Sequence, residues 1–426
     1  MRGKRLALAM MMACAGSAAI PLPLQAQAAA PETLRIDTKR IDAALAAMVA
    51  DGRAAGTSAL IWQDGREVYF GTAGMADRAE KRPMRRDTIA QIYSMTKPVT
   101  GVALMQLWEQ GKFRLDDPLA KYLPEYAAMR VYAGKDAAGQ PRTVPAERPI
   151  SVRDILRHTA GFVYGAGPTP AHDAYVAADP LALTIPLAEA SRRLASVPLL
   201  YQPGTQWEYS IAVDVQAALV EKLSGQPFAD YVRTHIFEPL KMTETAWRQP
   251  DARLPRFAAM NVKKDGTLVQ QPAAEAQTLN FRDHALTPGG FGLASTLDDY
   301  SRFARMLLGK GELDGARILK PSTVELMATD QLDPAITERA WLPSKGAVGF
   351  GFDFAVRKSS PQTAEENRGA TGEFFWDGMA STLFWVDPAN KLTAVFFVQT
   401  IPYDGTLHRD FRAAVYGADY KGRPGD

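Results

Sequence analysis

The first regular hydrophobic pattern in the chain predicts a helix followed by a hairpin. In "IDTKRIDAALAAMVADGR", apolar residues recur at helical spacing, at Ile41, Leu45, Met48 and Val49. Asp37 and Thr38 lie where a helix start signal is expected. In the next stretch, "TSALIWQDGREVYFGTAG", two short apolar runs flank Asp64-Gly65, a strong signal for a β-hairpin.

A second set of strands is predicted more than 250 residues further on. The runs "AVGFGFDFAV", "TGEFFWDG", "STLFWV" and "LTAVFFVQT" are rich in aromatic and β-branched residues. The turn residues Asp387-Pro388-Ala389-Asn390 separate the last two runs. The segment "GTLHRDFRAAVYG" then predicts a closing helix.

The middle of the chain is predicted to be mostly helical. Ser151 with Asp154, and Thr296 with Asp299, have the spacing of helix capping boxes, and Gly309 is a stop signal for the second helix. We therefore predict an α/β fold of the α+β kind, in which both chain ends form one antiparallel sheet flanked by helices. The sheet lobe is expected at about 37–90 and 345–415, and an inserted, largely helical lobe at about 95–340, within a single domain of residues 29–426.

Residues 1–28 have the pattern of a secretory signal peptide. A basic start with Arg2, Lys4 and Arg5 is followed by an apolar stretch and then by Ala26-Gln27-Ala28, a typical cleavage pattern. This predicts a periplasmic or secreted protein without a stable membrane span. Two alternatives are an uncleaved membrane anchor, for which the apolar stretch is short and contains two prolines, and lipidation of Cys14.

The composition is that of a soluble globular protein. Of the 426 residues, 46% are hydrophobic and 23% are charged. Cys14 is the only cysteine, so the predicted mature chain has no disulfide, thiol nucleophile or cysteine-bound metal. Removal of residues 1–28 changes the formal net charge from +2 to −1, which favours neither nucleic acid nor an anionic membrane as a partner. No sequence pattern indicates a metal or another cofactor.

The stretch "QIYSMTKPVTG" contains the main candidate for chemistry. Ser94 and Lys97 are three residues apart, which puts them on one face of a helix, and Pro98 is tolerated in a first helical turn. Ser94 is then either a helix cap beside a solvated Lys97, or a nucleophile that Lys97 activates. A buried lysine loses its charge more easily than a free one and becomes a general base.

Further motifs favour the catalytic interpretation. The segments "IYSMTKPVTG", "ISVRDILRHTAGF", "YSIAVDV" and "FWVDP" follow one another in an order and spacing that resemble the serine β-lactamase and penicillin-binding protein superfamily. The nearest resemblance is to class C β-lactamase-like serine hydrolases that include the family VIII carboxylesterases. It covers about residues 37–415 and implies a β-lactamase/transpeptidase-like fold.

The resemblance also implies a role for each candidate residue. Ser94 is the nucleophile, and Lys97 and Tyr209 move the protons, with the tyrosinate expected to be favoured by the nearby ammonium group. Which of the two is the base stays open. The backbone N–H groups of Ser94 and Met379 form the oxyanion hole, and Gly378 permits close approach of the backbone there.

Two positions depart from the β-lactamase pattern. Ile211 replaces an asparagine that grips the substrate amide, and Trp376-Asp377-Gly378 replaces a Lys-Thr-Gly motif whose cation holds the substrate carboxylate. We therefore expect Asp377 to disfavour anionic antibiotics, with Arg368 as a candidate replacement cation.

The departures favour an uncharged, small or aromatic ester as substrate. Aromatic residues are expected around it, the candidates being Tyr93, Phe162, Tyr164, Trp207, Phe375 and Trp376. For each of them except Trp376, a place in the ordinary hydrophobic core is the favoured alternative. The predicted function is a carboxylesterase that acts on a small-molecule ester; the oligomeric state stays open. The alternatives are a β-lactamase, a D-peptidase or amidase, an acyltransferase, and a non-catalytic ligand-binding homologue.

A Ser-His-Asp hydrolase is disfavoured. The chain has five histidines and no Gly-x-Ser-x-Gly pentapeptide. His158 in "LRHTAGF" is predicted to be structural, at the end of a helix. Gly289-Gly290 is predicted to shape a turn and not to bind phosphate.

Overall fold

The two ends of the chain meet in one eight-stranded sheet. The computed structural model describes residues 34–139, 141–165, 167–363 and 365–422. The strands of this sheet are β1 (Gly56–Gln63), β2 (Arg66–Asp77), β3 (Arg82–Pro83), β4 (Val348–Phe350), β5 (Ala355–Arg357), β6 (Phe374–Asp377), β7 (Leu383–Asp387) and β8 (Leu392–Val398). Their order across the sheet is β4-β5-β6-β7-β8-β1-β2-β3, and every neighbouring pair is antiparallel.

Strand β1 joins the two sequence-distant parts of the sheet. Its residue Leu60 lies opposite Val395 of β8 on one side and Phe70 of β2 on the other. The predicted hairpin between β1 and β2 is confirmed, since both turn residues, Asp64 (φ 50°) and Gly65 (φ 76°), take the positive φ that such turns require. The predicted fold, a sheet built from both chain ends, is confirmed.

Helices cover both faces of the sheet. The helices of the described residues are α1 (Thr38–Ala50), α2 (Thr96–Glu109), α3 (Val152–Leu156), α4 (Pro170–Ala178), α5 (Leu187–Ala195), α6 (Ala212–Ser224), α7 (Phe228–Val232), α8 (Ala273–Ala276), α9 (Thr278–Phe281), α10 (Leu297–Leu308), α11 (Pro321–Met327) and α12 (Gly405–Tyr416). Of these, α1, α10 and α12 pack on the sheet. Phe396 stacks on Phe411 of α12, with ring centroids 4.6 Å apart, whereas Phe384 packs against Tyr300 of α10 on the opposite face, at 5.0 Å. Because both faces are covered, β7 and β8 are buried along their whole length.

The capping signals lie where the sequence predicts them. Ser151 and Asp154 form a reciprocal capping box at α3, and the Thr296 side chain accepts a hydrogen bond from the Asp299 N–H at the start of α10. Helix α10 ends at Gly309, and Asp37 caps α1.

The middle segment also contains strands that the sequence analysis missed. Two hairpins outside the main sheet pair Arg130–Lys135 with Pro141–Pro145 and Asn261–Lys264 with Thr267–Gln270. Most of their residues are exposed or half-buried. Such strands carry little of the hydrophobic alternation by which a buried strand is recognised.

Among the described residues, no helix has the length and apolar character needed to cross a membrane. The predicted signal peptide, its cleavage site and Cys14 lie outside the described residues, so export stays a prediction.

Candidate active site

Ser94 lies on a short 3₁₀ turn, Tyr93–Met95, that runs directly into α2. The preceding residue, Tyr93, has a φ of +44°, in the left-handed region that a bulky side chain rarely occupies. Strain of this kind persists only where the surrounding structure enforces it, and it is found most often at functional sites. Ser94 is therefore held at the start of a buried helix, where the helix dipole favours developing negative charge.

Lys97 and Ser94 are brought together as the sequence predicts. The Lys97 Nζ lies 3.3 Å from the Ser94 Oγ and donates a hydrogen bond to the Gly290 carbonyl at 2.7 Å. The side chain is almost fully buried. Desolvation lowers the pKa of Lys97 to about 7, against the opposing effect of the Asp214 and Asp353 carboxylates. A lysine with this pKa is partly neutral at pH 7 and is able to accept a proton.

Tyr209, in the segment before α6, brings its hydroxyl group to Ser94 and Lys97. Its hydroxyl oxygen accepts a hydrogen bond from the Trp376 indole N–H at 3.3 Å and is also hydrogen-bonded to Ser94. The Lys97 Nζ lies 4.6 Å from the centre of the Tyr209 ring. Burial raises the pKa of Tyr209, which favours the neutral phenol and runs against the expected tyrosinate.

Asp214 is a supporting residue that the sequence analysis missed. Its Oδ1 accepts a hydrogen bond from the Gly290 N–H at 3.2 Å, while the Gly290 carbonyl accepts from Lys97. Burial raises the pKa of Asp214 to about 6. Asp214 could have been recognised from the sequence, because an acidic residue inside the apolar helix start "AVDV" is expected to have a buried partner. Gly289-Gly290 lies in a bend of the chain, where the sequence predicts a turn, and the Gly290 carbonyl there holds Lys97.

The end of β6 approaches the Ser94 turn closely. A Cβ on Gly378 would lie 2.5 Å from the Ile92 carbonyl oxygen and 2.3 Å from the Thr382 Oγ1. Only glycine fits there, as the sequence analysis expected for this position. The next residue, Met379, is the second candidate for the oxyanion hole; its N–H makes no hydrogen bond to a described backbone carbonyl.

We expect Gly378→Ala to lower kcat/KM for an ester substrate by about 10²-fold, because the added methyl group must displace the strand end that carries the Met379 N–H. The measurement is steady-state kinetics on the purified variant. Gly405→Ala is the control, because its Cβ has no neighbour closer than 3.4 Å. If kcat/KM of Gly378→Ala stayed within twofold of the parent value, the assignment of the Met379 N–H to the oxyanion hole would be contradicted.

These groups face a cavity of about 650 Å³. Its wall includes the predicted site residues Tyr93, Ser94, Tyr209, Asp377, Gly378 and Met379. Tyr164, an aromatic candidate, also lines it, with its ring 5.4 Å from that of Tyr209. The size and the mainly apolar wall are those of a small-molecule site.

Four predicted substrate-binding residues lie behind the cavity wall. Phe162, Trp207, Ile211 and Trp376 are all 1% exposed or less. Phe162 packs edge-on against Tyr126, and Trp207 packs against the buried His158. These two aromatic side chains belong to the hydrophobic core, the alternative that the sequence left open for them, and they do not line the cavity.

The other two buried residues have separate explanations. Ile211 borders a small void between α5 and α6 and is not among the residues that line the cavity at Ser94. The Trp376 indole holds the Tyr209 hydroxyl. Trp376 therefore contacts Tyr209 from behind and does not line the cavity.

The charge at the cavity wall also differs from the prediction. Asp377 is ion-paired with Lys345, a residue that the sequence analysis did not single out. The proposed replacement cation, Arg368, is buried elsewhere and donates to the Tyr420 carbonyl at 3.1 Å. The remaining unpredicted lining residues are Leu279, Phe291, Trp341, Ser344 and Tyr403.

His158 is structural, as predicted, but it packs closer to the site than expected. Its ring centre lies 5.0 Å from that of Tyr209, and its Nδ1 lies 3.2 Å from the Ser210 Oγ. Burial lowers its pKa well below the usual value, so the ring is neutral at pH 7.

Comparison with known proteins agrees with this geometry. The sequence pattern of the family described as Beta-lactamase matches residues 41–418. The chain belongs to the β-lactamase family. Within this family, it is 28% identical over 400 residues to Esterase EstB of Burkholderia gladioli, covering 88% of this chain and 94% of that one. It is also 34% identical over 382 residues to an uncharacterized protein of Mycobacterium tuberculosis, covering 86% of this chain and 90% of that one.

Solved structures of other enzymes share the fold of this β-lactamase family member. EstCE1, described as a hydrolase with promiscuous acyltransferase activity, superposes with a TM-score of 0.73 at 26% identity, covering 89% of this chain and 98% of that one. Simvastatin synthase from Aspergillus terreus has a TM-score of 0.75 at 24% identity, covering 90% and 98%, and so shares the fold. The predicted closeness to the family VIII esterases is confirmed.

Proposed function

We propose that this protein is a carboxylesterase that works through an acyl-enzyme on Ser94. The observation that carries the proposal is the 3.3 Å separation of the Ser94 Oγ and the Lys97 Nζ at the wall of an apolar cavity. The lowered pKa of Lys97, about 7, supports a base role for its neutral amine. In acylation, Lys97 takes the Ser94 proton as Oγ attacks the ester carbonyl.

Tyr209 and the backbone complete the proposed cycle. The Tyr209 hydroxyl, held by Ser94 and Trp376, passes a proton to the departing alcohol. The N–H groups of Ser94 and Met379 stabilise the negative charge on the carbonyl oxygen. Water then attacks the acyl-enzyme by the same proton transfers in reverse, which releases the acid and restores the Ser94 hydroxyl.

The substrate is a small-molecule ester with an apolar or aromatic part. Apolar side chains such as Leu279, Phe291, Trp341 and Met379 line the cavity. Relatives named for ester cleavage, EstB and a lovastatin esterase of Penicillium rubens, support the same reaction class.

Acyl transfer is the second candidate. The curated relatives include Acyltransferase calJ of Penicillium decumbens, 26% identical over 360 residues. The same acyl-enzyme serves both reactions, because an alcohol bound in the apolar cavity can replace water as the acceptor.

The proposal is tested by initial rates of the purified protein on p-nitrophenyl acetate, butyrate and octanoate beside nitrocefin. We expect kcat/KM for the best ester to exceed that for nitrocefin by at least about tenfold. Dominant nitrocefin turnover would establish a β-lactamase instead. A second measurement adds 1-butanol to the reaction. Formation of the butyl ester at a higher rate than formation of the free acid would favour acyl transfer.

A further inference from the structure

The cavity wall contains one buried ion pair. Lys345 and Asp377 are the charged side chains among the described residues that line the cavity. The Lys345 ammonium donates to the Asp377 carboxylate, and the two side chains are only 6% and 11% exposed. Lys345 comes from the short turn Leu342–Lys345, and Asp377 is the last residue of β6. The pair therefore links two walls of the cavity.

Aromatic rings enclose the ammonium group. The Lys345 Nζ lies 5.0 Å from the Trp341 ring centre, 5.4 Å from that of Trp376 and 5.0 Å from that of Tyr403. These distances are within the range of cation–π attraction. Lys345 is thus held by a carboxylate and by the faces of three rings.

The two side chains that continue from the pair by hydrogen bonds, Tyr403 and His408, are uncharged. The Tyr403 hydroxyl lies 3.5 Å from the Lys345 Nζ and 3.4 Å from the Asp377 Oδ2. The His408 Nδ1 lies 3.1 Å from this hydroxyl, and its Nε2 lies 2.9 Å from the Ser381 carbonyl oxygen. Burial lowers the pKa of His408 to about 4, so the imidazole is neutral at pH 7. Among the described residues that line the cavity, the opposite charges of Lys345 and Asp377 therefore cancel.

The pair lies beside the reacting centre. Asp377 directly precedes Gly378 and Met379, and Gly378 packs against the Ile92 carbonyl two residues before Ser94. A charged substrate in this cavity loses its hydration and meets no unpaired opposite charge, whereas an uncharged ester has less hydration to lose.

We propose that the Lys345–Asp377 ion pair selects uncharged esters over esters that carry a carboxylate or an ammonium group. This inference rests on the esterase function proposed above and names the charge of its substrates. It also reverses the expectation that Asp377 repels anions, because Lys345 cancels that charge. Removal of one partner leaves an unpaired charge that attracts substrates of the opposite sign.

The test compares three p-nitrophenyl esters of similar acyl length: pentanoate, the monoester of glutarate and 4-(trimethylammonio)butyrate. The parent protein is expected to cleave the neutral ester at least about tenfold faster, by kcat/KM, than either charged ester, a difference of about 1.4 kcal/mol. Equal rates on all three esters would overturn the proposal, and this comparison needs no variant.

Two single substitutions are expected to change the preference between anionic and cationic esters in opposite directions. Asp377→Asn frees the Lys345 cation and is expected to raise the anionic-to-cationic ratio of kcat/KM by at least about tenfold. Lys345→Met frees the Asp377 carboxylate and is expected to lower that ratio by a similar factor. A ratio that stays within twofold of the parent value in both folded variants would overturn the charge selection.

Two further variants distinguish a failure of the charge selection from a failure of the esterase proposal. Lys358→Met removes a Lys–Asp pair outside the cavity, with Asp330 at 3.0 Å, and is expected to leave the ratio unchanged. Ser94→Ala is measured on the neutral ester. If Ser94→Ala still hydrolyses the neutral ester, the esterase mechanism is overturned. If hydrolysis depends on Ser94 but the anionic-to-cationic ratio of kcat/KM does not change in the Asp377 and Lys345 variants, only the role of the ion pair is overturned.

Discussion

Replacement of Ser94 by alanine is expected to lower kcat/KM for p-nitrophenyl butyrate by at least about 10³-fold, because the attacking oxygen is removed and no acyl-enzyme forms. Ser94 is half-buried on a turn and outside the hydrophobic core. The free energy of unfolding is therefore expected to change by about 1 kcal/mol or less. Initial rates and thermal melts of the same preparation measure both effects.

An exposed serine provides the matched control for this experiment. Ser322, in the first turn of α11, is exposed, and Ser322→Ala is expected to keep full activity. Full ester turnover by Ser94→Ala would contradict the account, since the attacking oxygen would then have to come from another residue.

The second large effect concerns Lys97. Lys97→Met is expected to lower kcat/KM by about 10²- to 10⁴-fold, because the proton of Ser94 then has no acceptor at 3.3 Å. The parent protein should show kcat/KM that rises with pH through a midpoint of about 7, the pKa of Lys97. The rate rises with pH because the Lys97 amine is protonated below this midpoint and cannot then act as a base.

The pH profile identifies the base independently of the rate loss. The residual activity of Lys97→Met should lack the rise near pH 7. Lys112→Met is the control, since Lys112 is exposed just beyond the end of α2. An unchanged midpoint in Lys97→Met would assign the titration to another group, of which Asp214, with a pKa of about 6, is the nearest candidate.

The parts of this site that depend on local spacing could be predicted from the sequence. Ser94 and Lys97 face each other because residues three apart share a helix face. Gly378 could be predicted because close backbone approach leaves no room for a side chain. The sheet could be predicted from strand patterns, since their covered faces require apolar residues.

The missed features depend on tertiary packing. Lys345 and Asp377 are 32 residues apart and meet only because a turn folds back over the end of β6. The aromatic residues around the site look alike in sequence, yet Phe162 and Trp207 point into the core while Tyr164 is 42% exposed. Residue type sets the preference for burial, but the direction of each side chain is set by the fold.

The central claim is that Ser94 becomes acylated. The direct measurement is mass spectrometry of the intact protein and of its peptides after reaction with a fluorophosphonate. The account predicts one adduct per chain on the peptide that contains Ser94, and none on Ser94→Ala. An adduct on a different residue, or an unlabelled protein that still hydrolyses esters, would contradict it.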